Sequence, residues 1–235
     1  MKIKHISNLP IIENCTICII GLGYVGLPLA IEFSKIKRCL RTGTKLNRDI
    51  IGFDLNEERI KELKLGLDTT KETEEKDLNE CKSIEFTSDL NKISIADVFI
   101  ISVPTPIDID KNPDLNCLEK ATESIGKILK TREKTSIPVI IYESTVYPGT
   151  TEEICVPILE EKSGLKFNEG FSCGYSPERI NPGDKEHRLT SIVKVTSGSN
   201  EITAKWVDEL YGSIIEAGTF QAKSIQVAEA AKVIE

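Results

Sequence analysis

Histidine is scarce in this chain. Only His5 and His187 occur, so a zinc site built on imidazole has little support and no metal is expected. No apolar run approaches the roughly 20 residues that a membrane span needs. The start, Met1-Lys2-Ile3-Lys4-His5, leads into no signal-peptide segment. An excess of positive charge is also missing. The formal net charge is −7, which argues against a nucleic-acid partner. There is no internal repeat and no low-complexity linker. These absences point to a cytoplasmic protein without a membrane or nucleic-acid partner.

What is present fits an ordinary globular protein, with 40% hydrophobic and 29% charged residues. A length of 235 residues allows one large or two small domains. The seven cysteines are an odd number and are scattered, which suits a reducing compartment better than a disulfide framework. Cys15 and Cys18 have Cys-x-x-Cys spacing, but they fall in a predicted strand. Residues three apart there point to opposite faces, so both are read as buried strand cysteines. Cys173 is read the same way. Lys35, Lys37, Arg38 and Arg41 are read as a solvated helix end, favoured by the helix dipole.

The strongest positive signal is Ile17-Cys18-Ile19-Ile20-Gly21-Leu22-Gly23-Tyr24-Val25-Gly26. A strand-length apolar run enters Gly-x-Gly-x-x-Gly, and helix-forming residues follow. In a dinucleotide-binding turn the first glycine permits the tight bend. The second lets the backbone approach a pyrophosphate, and the third lets helix and strand pack closely. The helix N-terminus then offers N–H groups and partial positive charge to the phosphates. A glycine-rich turn in an unrelated α/β domain is the bland alternative.

Further along, strand and helix patterns alternate, as in a parallel α/β sheet. Strands are expected at Cys15–Ile20, Asp49–Phe53, Ile84–Phe86, Val98–Val103, Pro138–Tyr142, Phe171–Tyr175 and Ser191–Thr196. Helices are expected from Tyr24, over Glu57–Leu65, from Asp89, over Leu115–Lys130, after Pro148-Gly149, and from Asn200. The fold class is therefore a Rossmann-like, doubly wound, mainly parallel sheet with helices on both faces. The chain closes on a helical pattern from Ser224 without a stop signal, which suggests a fragment that ends at the start of a further helix.

In open α/β sheets, ligands bind outside the carboxyl ends of the strands. That rule nominates the glycine turn, Asp54, Thr105, Thr145 and the Glu178-Arg179 pair. Asp54 is placed to accept the adenosine ribose hydroxyls and to repel a 2′-phosphate, favouring NAD over NADP; the alternative is a helix N-cap. It lies further past Gly26 than the ~20 residues of the fingerprint. The excess is assigned to Lys37–Arg48, an inserted loop expected at the sheet edge opposite the cofactor. Thr145 is a candidate hydrogen-bonder to substrate, water or nicotinamide, against a hydroxyl satisfied by backbone. Glu178 is a candidate base, against a surface carboxylate. Lys232, one turn beyond Ala228, is a candidate oxyanion stabiliser, against a solvated helix lysine.

Six segments together resemble the UDP-glucose/GDP-mannose dehydrogenase family, in family order. They are Gly21–Pro28, Gly52-Phe53-Asp54, Val103–Pro106, Tyr142–Glu153, Tyr175–Asp184 and Ala228–Lys232. The form Pro177-Glu178-Arg179-Ile180-Asn181-Pro182-Gly183 is similar to the branch acting on UDP-N-acetylhexosamines. Pro182 stands where other branches carry a second acidic residue. The resemblance implies oxidation of a sugar C6 alcohol to a carboxylate with two NAD reduced, through a cysteine-bound thioester. It implies Gly21, Gly23, Tyr24, Val25, Gly26, Asp54, Arg59, Thr105 and Thr145 as the cofactor site. Arg179, Ile180 and Lys232 are implied at the UDP-sugar, with Lys232, Glu178 and Thr145 as catalytic residues. It further implies an NAD-binding domain over 1–221, the truncated start of a central helical domain over 222–235, and a homodimer in the full-length form. The family's nucleophilic cysteine belongs to a motif beyond this chain, so the thioester steps are not expected of the chain alone. A non-catalytic NAD-binding remnant, a UDP-glucose 6-dehydrogenase and a dehydrogenase of 2-hydroxy acids stay open as alternatives.

Overall fold

The computed structural model describes residues 8–71, 73, 75–107, 109–110, 112–179 and 189–234. Its elements, in chain order, are β1 (Thr16–Ile20), α1 (Gly26–Lys35), β2 (Asp49–Phe53), α2 (Glu57–Lys64), α3 (Glu75–Glu80), β3 (Ile84–Thr87), β4 (Val98–Ile101), α4 (Asn116–Thr131), β5 (Val139–Tyr142), α5 (Val156–Ser163), β6 (Ser172–Tyr175), β7 (Lys194–Gly198), α6 (Glu201–Gly212), β8 (Thr219–Gln221) and α7 (Ile225–Ile234).

The apolar runs become strands buried on both faces, as parallel sheets require. Every residue of β1, β4 and β5 is buried. The strand order is β3-β2-β1-β4-β5-β6-β7-β8. The first six strands pair in parallel, β7 runs antiparallel to β6, and β8 pairs in parallel with β7. Chain direction across the sheet reverses between β1 and β4, which creates the switch-point crevice.

Alternate residues of β1 feed two cores, as a period of two demands. Ile17 and Ile19 pack with α1 and α6 through Leu27, Phe33, Val207 and Leu210. Cys18 and Ile20 pack with α4, α5 and α7 through Leu118, Ile125, Leu159 and Ile225. The sheet is thus doubly wound, with helices on both faces. At its lower end Asp97 accepts from the Thr16 backbone N–H at 3.0 Å, Arg132 Nη2 at 3.0 Å and Lys134 Nζ at 2.8 Å. These bonds fasten β1, β4 and the end of α4 together. No helix among the described residues is long and apolar enough to cross a membrane.

Several sequence boundaries shift for physical reasons. Cys15 precedes β1 rather than opening it, yet it is buried, as are Cys18 and Cys173. Burial pushes the Cys15 thiol up to about 12 and raises the other two as well. The helix expected from Asp89 is a short 3₁₀ segment, Leu90–Ile95, with Asp89 as its cap. β4 ends at Ile101 instead of Val103. Ser102 still donates its N–H to Ile20, but the chain then bends ahead of Pro104. A turn of π-helix, Thr150–Cys155, precedes α5.

The Lys37–Arg48 loop does lie at the N-terminal ends of β1 and β2, where the Asn47 N–H donates to Glu13 O at 2.7 Å. Its basic residues are not simply solvated. Arg41 pairs with Asp208 at 2.7 Å and bonds the Thr219 hydroxyl, and Arg48 reaches Ser213 Oγ at 2.8 Å; Lys35, at the end of α1, bonds Asp77 at 2.6 Å. The loop therefore braces α6 and β8.

Candidate functional site

The glycine turn leaves β1 at the switch point. Gly21 has φ of +90°, a conformation open to glycine. A Cβ on Gly26 would stand 1.9 Å from Gly21 O and 2.4 Å from Ser102 Oγ. Only glycine lets α1 start this close to the strand. A Cβ on Gly23, by contrast, would meet no protein atom within 4 Å. Gly23 lines a cavity of about 580 Å³, so the added group would take space left for a ligand.

That cavity brings together most of the residues nominated from sequence. Gly21, Gly23, Tyr24, Val25, Asp54, Thr105, Thr145, Glu178 and Lys232 all line it. Asp54 Oδ2 accepts from the Leu22 N–H at 2.8 Å, and Oδ1 accepts from the Asn56 N–H at 2.9 Å. Asp54 is not the helix cap: Asn56 caps α2, accepting from Glu58 and Arg59. The turn's N–H groups beside an acceptor carboxylate suit a pyrophosphate and a ribose, so the residues present fit a dinucleotide.

The loops after β4 and β5 are tied to each other. Thr105 Oγ1 donates to Thr145 O at 2.6 Å, and Ser144 Oγ donates to Val103 O at 2.6 Å. Ser102 Oγ donates to Gly21 O at 2.9 Å, which fixes the turn from the β4 side. Sequence reasoning missed Ser102 and Ser144, though both adjoin strand ends.

Three nominated residues stand apart from the cavity lining. Gly26 lies beneath it, as its packing role requires. Arg59 is buried and reaches the turn from behind, donating to Leu22 O at 3.1 Å while pairing with Asp68 at 2.7 Å. Arg179 is half-buried, and its Nη1 bonds Val193 O at 3.4 Å. Ile180 lies outside the described residues.

Glu178 is not a surface carboxylate. It is 7% exposed, and its Oε2 accepts from Lys194 Nζ at 2.9 Å. Lys194 also bonds Glu143 Oε2 at 2.9 Å, and Tyr211 Oη donates to the other Glu143 oxygen. Burial pushes the Glu143 carboxyl up; Lys194 opposes that and Glu178 adds to it, leaving it above the usual range. Burial would lower the Lys194 ammonium, but its two carboxylate neighbours raise it above the ordinary lysine value. Neither Glu143 nor Lys194 was singled out from sequence, because the pair forms only when β7 turns back beside β6.

Lys232 reaches the cavity because α7 is pinned to the domain. Glu229, fully buried, accepts from Gly149 N at 2.6 Å, Thr151 N at 2.9 Å and Thr151 Oγ1 at 2.7 Å. Its carboxylate thereby satisfies donors at the start of the helical segment after β5.

Sheet order, glycine turn and acidic residue after β2 together define an NAD-binding domain of Rossmann type. The chain belongs to the UDP-glucose/GDP-mannose dehydrogenase family, and residues 15–215 match its NAD-binding domain. It is 55% identical over 223 residues to UDP-N-acetyl-D-glucosamine 6-dehydrogenase of Pseudomonas aeruginosa, covering 95% of this chain and 49% of that protein. It is 54% identical over 224 residues to the enzyme of the same name from Salmonella typhi, again covering 95% and 49%. The chain thus spans about half the length of the curated relatives it matches. Among solved structures, it resembles NDP-N-acetyl-D-galactosaminuronic acid dehydrogenase from Methanosarcina mazei Go1, with a TM-score of 0.80 and 29% identity over 94% of this chain and 46% of that one. A ternary complex of GDP-mannose dehydrogenase from Pseudomonas aeruginosa gives a TM-score of 0.79 and 25% identity over 93% and 48%.

Proposed function

We propose that the protein carrying this chain oxidises the C6 hydroxymethyl group of a UDP-N-acetylhexosamine to a carboxylate, and that this chain is the part that holds NAD. One sugar alcohol, two NAD⁺ and one water give one carboxylate, two NADH and three protons. The observation that carries the reading is the meeting of Glu178, Thr145 and Lys232 with Asp54 and the glycine turn in one cavity. The high identity to two UDP-N-acetyl-D-glucosamine 6-dehydrogenases supports the sugar class.

In this reading the backbone of Gly21, Gly23, Tyr24 and Val25 receives the pyrophosphate, with Gly26 setting the helix close beneath it. Asp54 receives the adenosine ribose, and its charge disfavours a 2′-phosphate. Arg59 steadies the turn through Leu22. Thr105 and Thr145 flank the nicotinamide end. NAD, when bound, supplies the hydride acceptor. Lys232 stabilises the alkoxide that develops at C6 and handles its proton. Glu178 takes a proton from water during hydrolysis. Arg179 and Ile180 contact the nucleotide sugar. Residues 1–221 form the cofactor domain, and 222–235 begin a central helical domain. We place the reaction in the cytoplasm, in the supply of surface-polysaccharide precursors, and assign the protein a homodimer. The exposed Val227, Val233 and Ile234 on α7 support that last assignment.

NADH absorbance after adding UDP-N-acetylglucosamine or UDP-N-acetylgalactosamine to the full-length protein that carries this chain tests the proposal. Two NADH per sugar are expected. A yield of one, or none with either sugar, would overturn it.

A further inference from the structure

The ion cluster behind the cavity has an arrangement that the proposed function does not use. Lys194 opens β7 and is 3% exposed. Its three N–H donors meet three acceptors: Glu143 Oε2 at 2.9 Å, Glu178 Oε2 at 2.9 Å and Pro177 O at 3.2 Å. Its ammonium also stands 5.6 Å from the Tyr211 ring centre. The second Glu178 oxygen accepts from the Arg179 backbone N–H at 2.6 Å. Both carboxylates line the cavity and both pair with the Lys194 ammonium.

We infer that Lys194 is a positioning residue: it aims the Glu178 carboxylate into the cavity and keeps it ionised, while Glu143 and Tyr211 hold Lys194 in place. The inference rests on the proposed role of Glu178 as a proton acceptor. Two carboxylates sharing a buried site cannot both stay ionised without a cation, and a proton enters instead. With the cation, one Glu178 oxygen is bonded to Lys194 and the other to the Arg179 backbone N–H, in a side chain that lines the cavity. Among the described residues, the other ionisable groups near the cluster include Tyr142 at the end of β5, Tyr175 on β6, Arg179 beyond it, Asp208 on α6, and Glu229 and Lys232 on α7. Asp208 is already paired with Arg41, and Glu229 with the helical segment after β5.

Neighbour charges give the two variants opposite signs. Lys194→Met removes a cation 2.9 Å from each acid, so the protonation of Glu178 moves to higher pH. Glu143→Gln leaves Lys194 to Glu178 alone and moves it lower. Lys194→Arg keeps the charge and restores it. Two readouts on the intact protein test this. The carboxyl carbon signal of Glu178, assigned with Glu178→Gln, is expected to titrate upward by ~1 pH unit or more in Lys194→Met and downward in Glu143→Gln. The acid limb of the NAD-linked oxidation rate should follow in the same directions. A melting curve on each variant establishes that it folds, and Glu143→Gln retains the cluster's shape if Lys194→Met does not. Titrations unmoved in folded variants would overturn the inference. If the titrations move while wild-type protein oxidises no nucleotide sugar, the inference about Lys194 stands and the reading of function falls.

Discussion

Glu229→Gln is expected to loosen α7 without unfolding the sheet. In the native arrangement one Glu229 oxygen accepts from both Thr151 N and Thr151 Oγ1, and the other accepts from Gly149 N. The glutamine carbonyl can serve Thr151, but its amide then faces the Gly149 N–H, donor against donor. One charge-assisted bond is lost, on the order of 1.5–3 kcal/mol. The negative charge at the start of the helical segment goes too, worth about 0.3–1 kcal/mol. Removing a buried charge recovers part of this through desolvation, so a net cost of about 2–3 kcal/mol is expected. The rest of the docking rests largely on Ile225, 1% exposed, whose burial contributes about 1.5–3 kcal/mol. The two contributions are comparable, so the loss falls on α7 alone. Amide hydrogen exchange within Ile225–Ile234 should quicken by about 30- to 150-fold, with exchange in β1, β4 and β5 unchanged. Wild-type protection of α7 in the variant would refute the role given to Glu229.

Two other perturbations follow from the same geometry. Gly26→Ala drives a methyl against Gly21 O and is expected to cost about 1–3 kcal/mol by urea unfolding and to weaken NAD binding; unchanged values would mean that α1 need not approach β1 closely. Burial would raise the Asp97 carboxyl, but Lys134, the Thr16 N–H and Ser136 outweigh it and hold it below the usual value. The unfolded chain therefore binds the proton more tightly. The stabilisation is complete above the unfolded aspartate value of about 3.9 and is lost as pH falls through the lower native one. Asp97→Asn should lower stability by about 2–4 kcal/mol at neutral pH and flatten its decline in acid; an unchanged acid slope by pH-dependent unfolding would count against it.

The features legible in the sequence are those that local pattern controls. The runs Ile17–Ile20, Ile50–Phe53, Val98–Ile101 and Val139–Tyr142 carry no charged residue, because both faces are covered. The glycine turn carries its own conformational demands. Strand ends could be listed in order, and the crevice rule then grouped Asp54, Thr105, Thr145 and Glu178 before any coordinates. What escaped depends on contacts between distant segments. β8 is three residues long at the sheet edge, with Phe220 62% exposed, and gives no periodic signal. Lys194 reads as an ordinary lysine at the start of a strand, and its meaning comes from Glu143 and Glu178, just past the ends of β5 and β6. Arg41 reads as a solvated charge until α6 brings Asp208 beside it. Glu229 falls within the family-like segment Ala228–Lys232, but its task appears only where α7 meets the turn after β5.

The account stands most directly on NAD occupying the cavity at the glycine turn, and calorimetric titration of NAD into the wild type and Gly23→Val tests it. A Cβ at position 23 meets nothing within 4 Å beyond its chain neighbours and opens onto the cavity, so the variant should melt with the wild type. It should also bind NAD at least about ten-fold more weakly, a loss of ~1.4 kcal/mol or more. Equal NAD affinity in the two proteins would contradict the account.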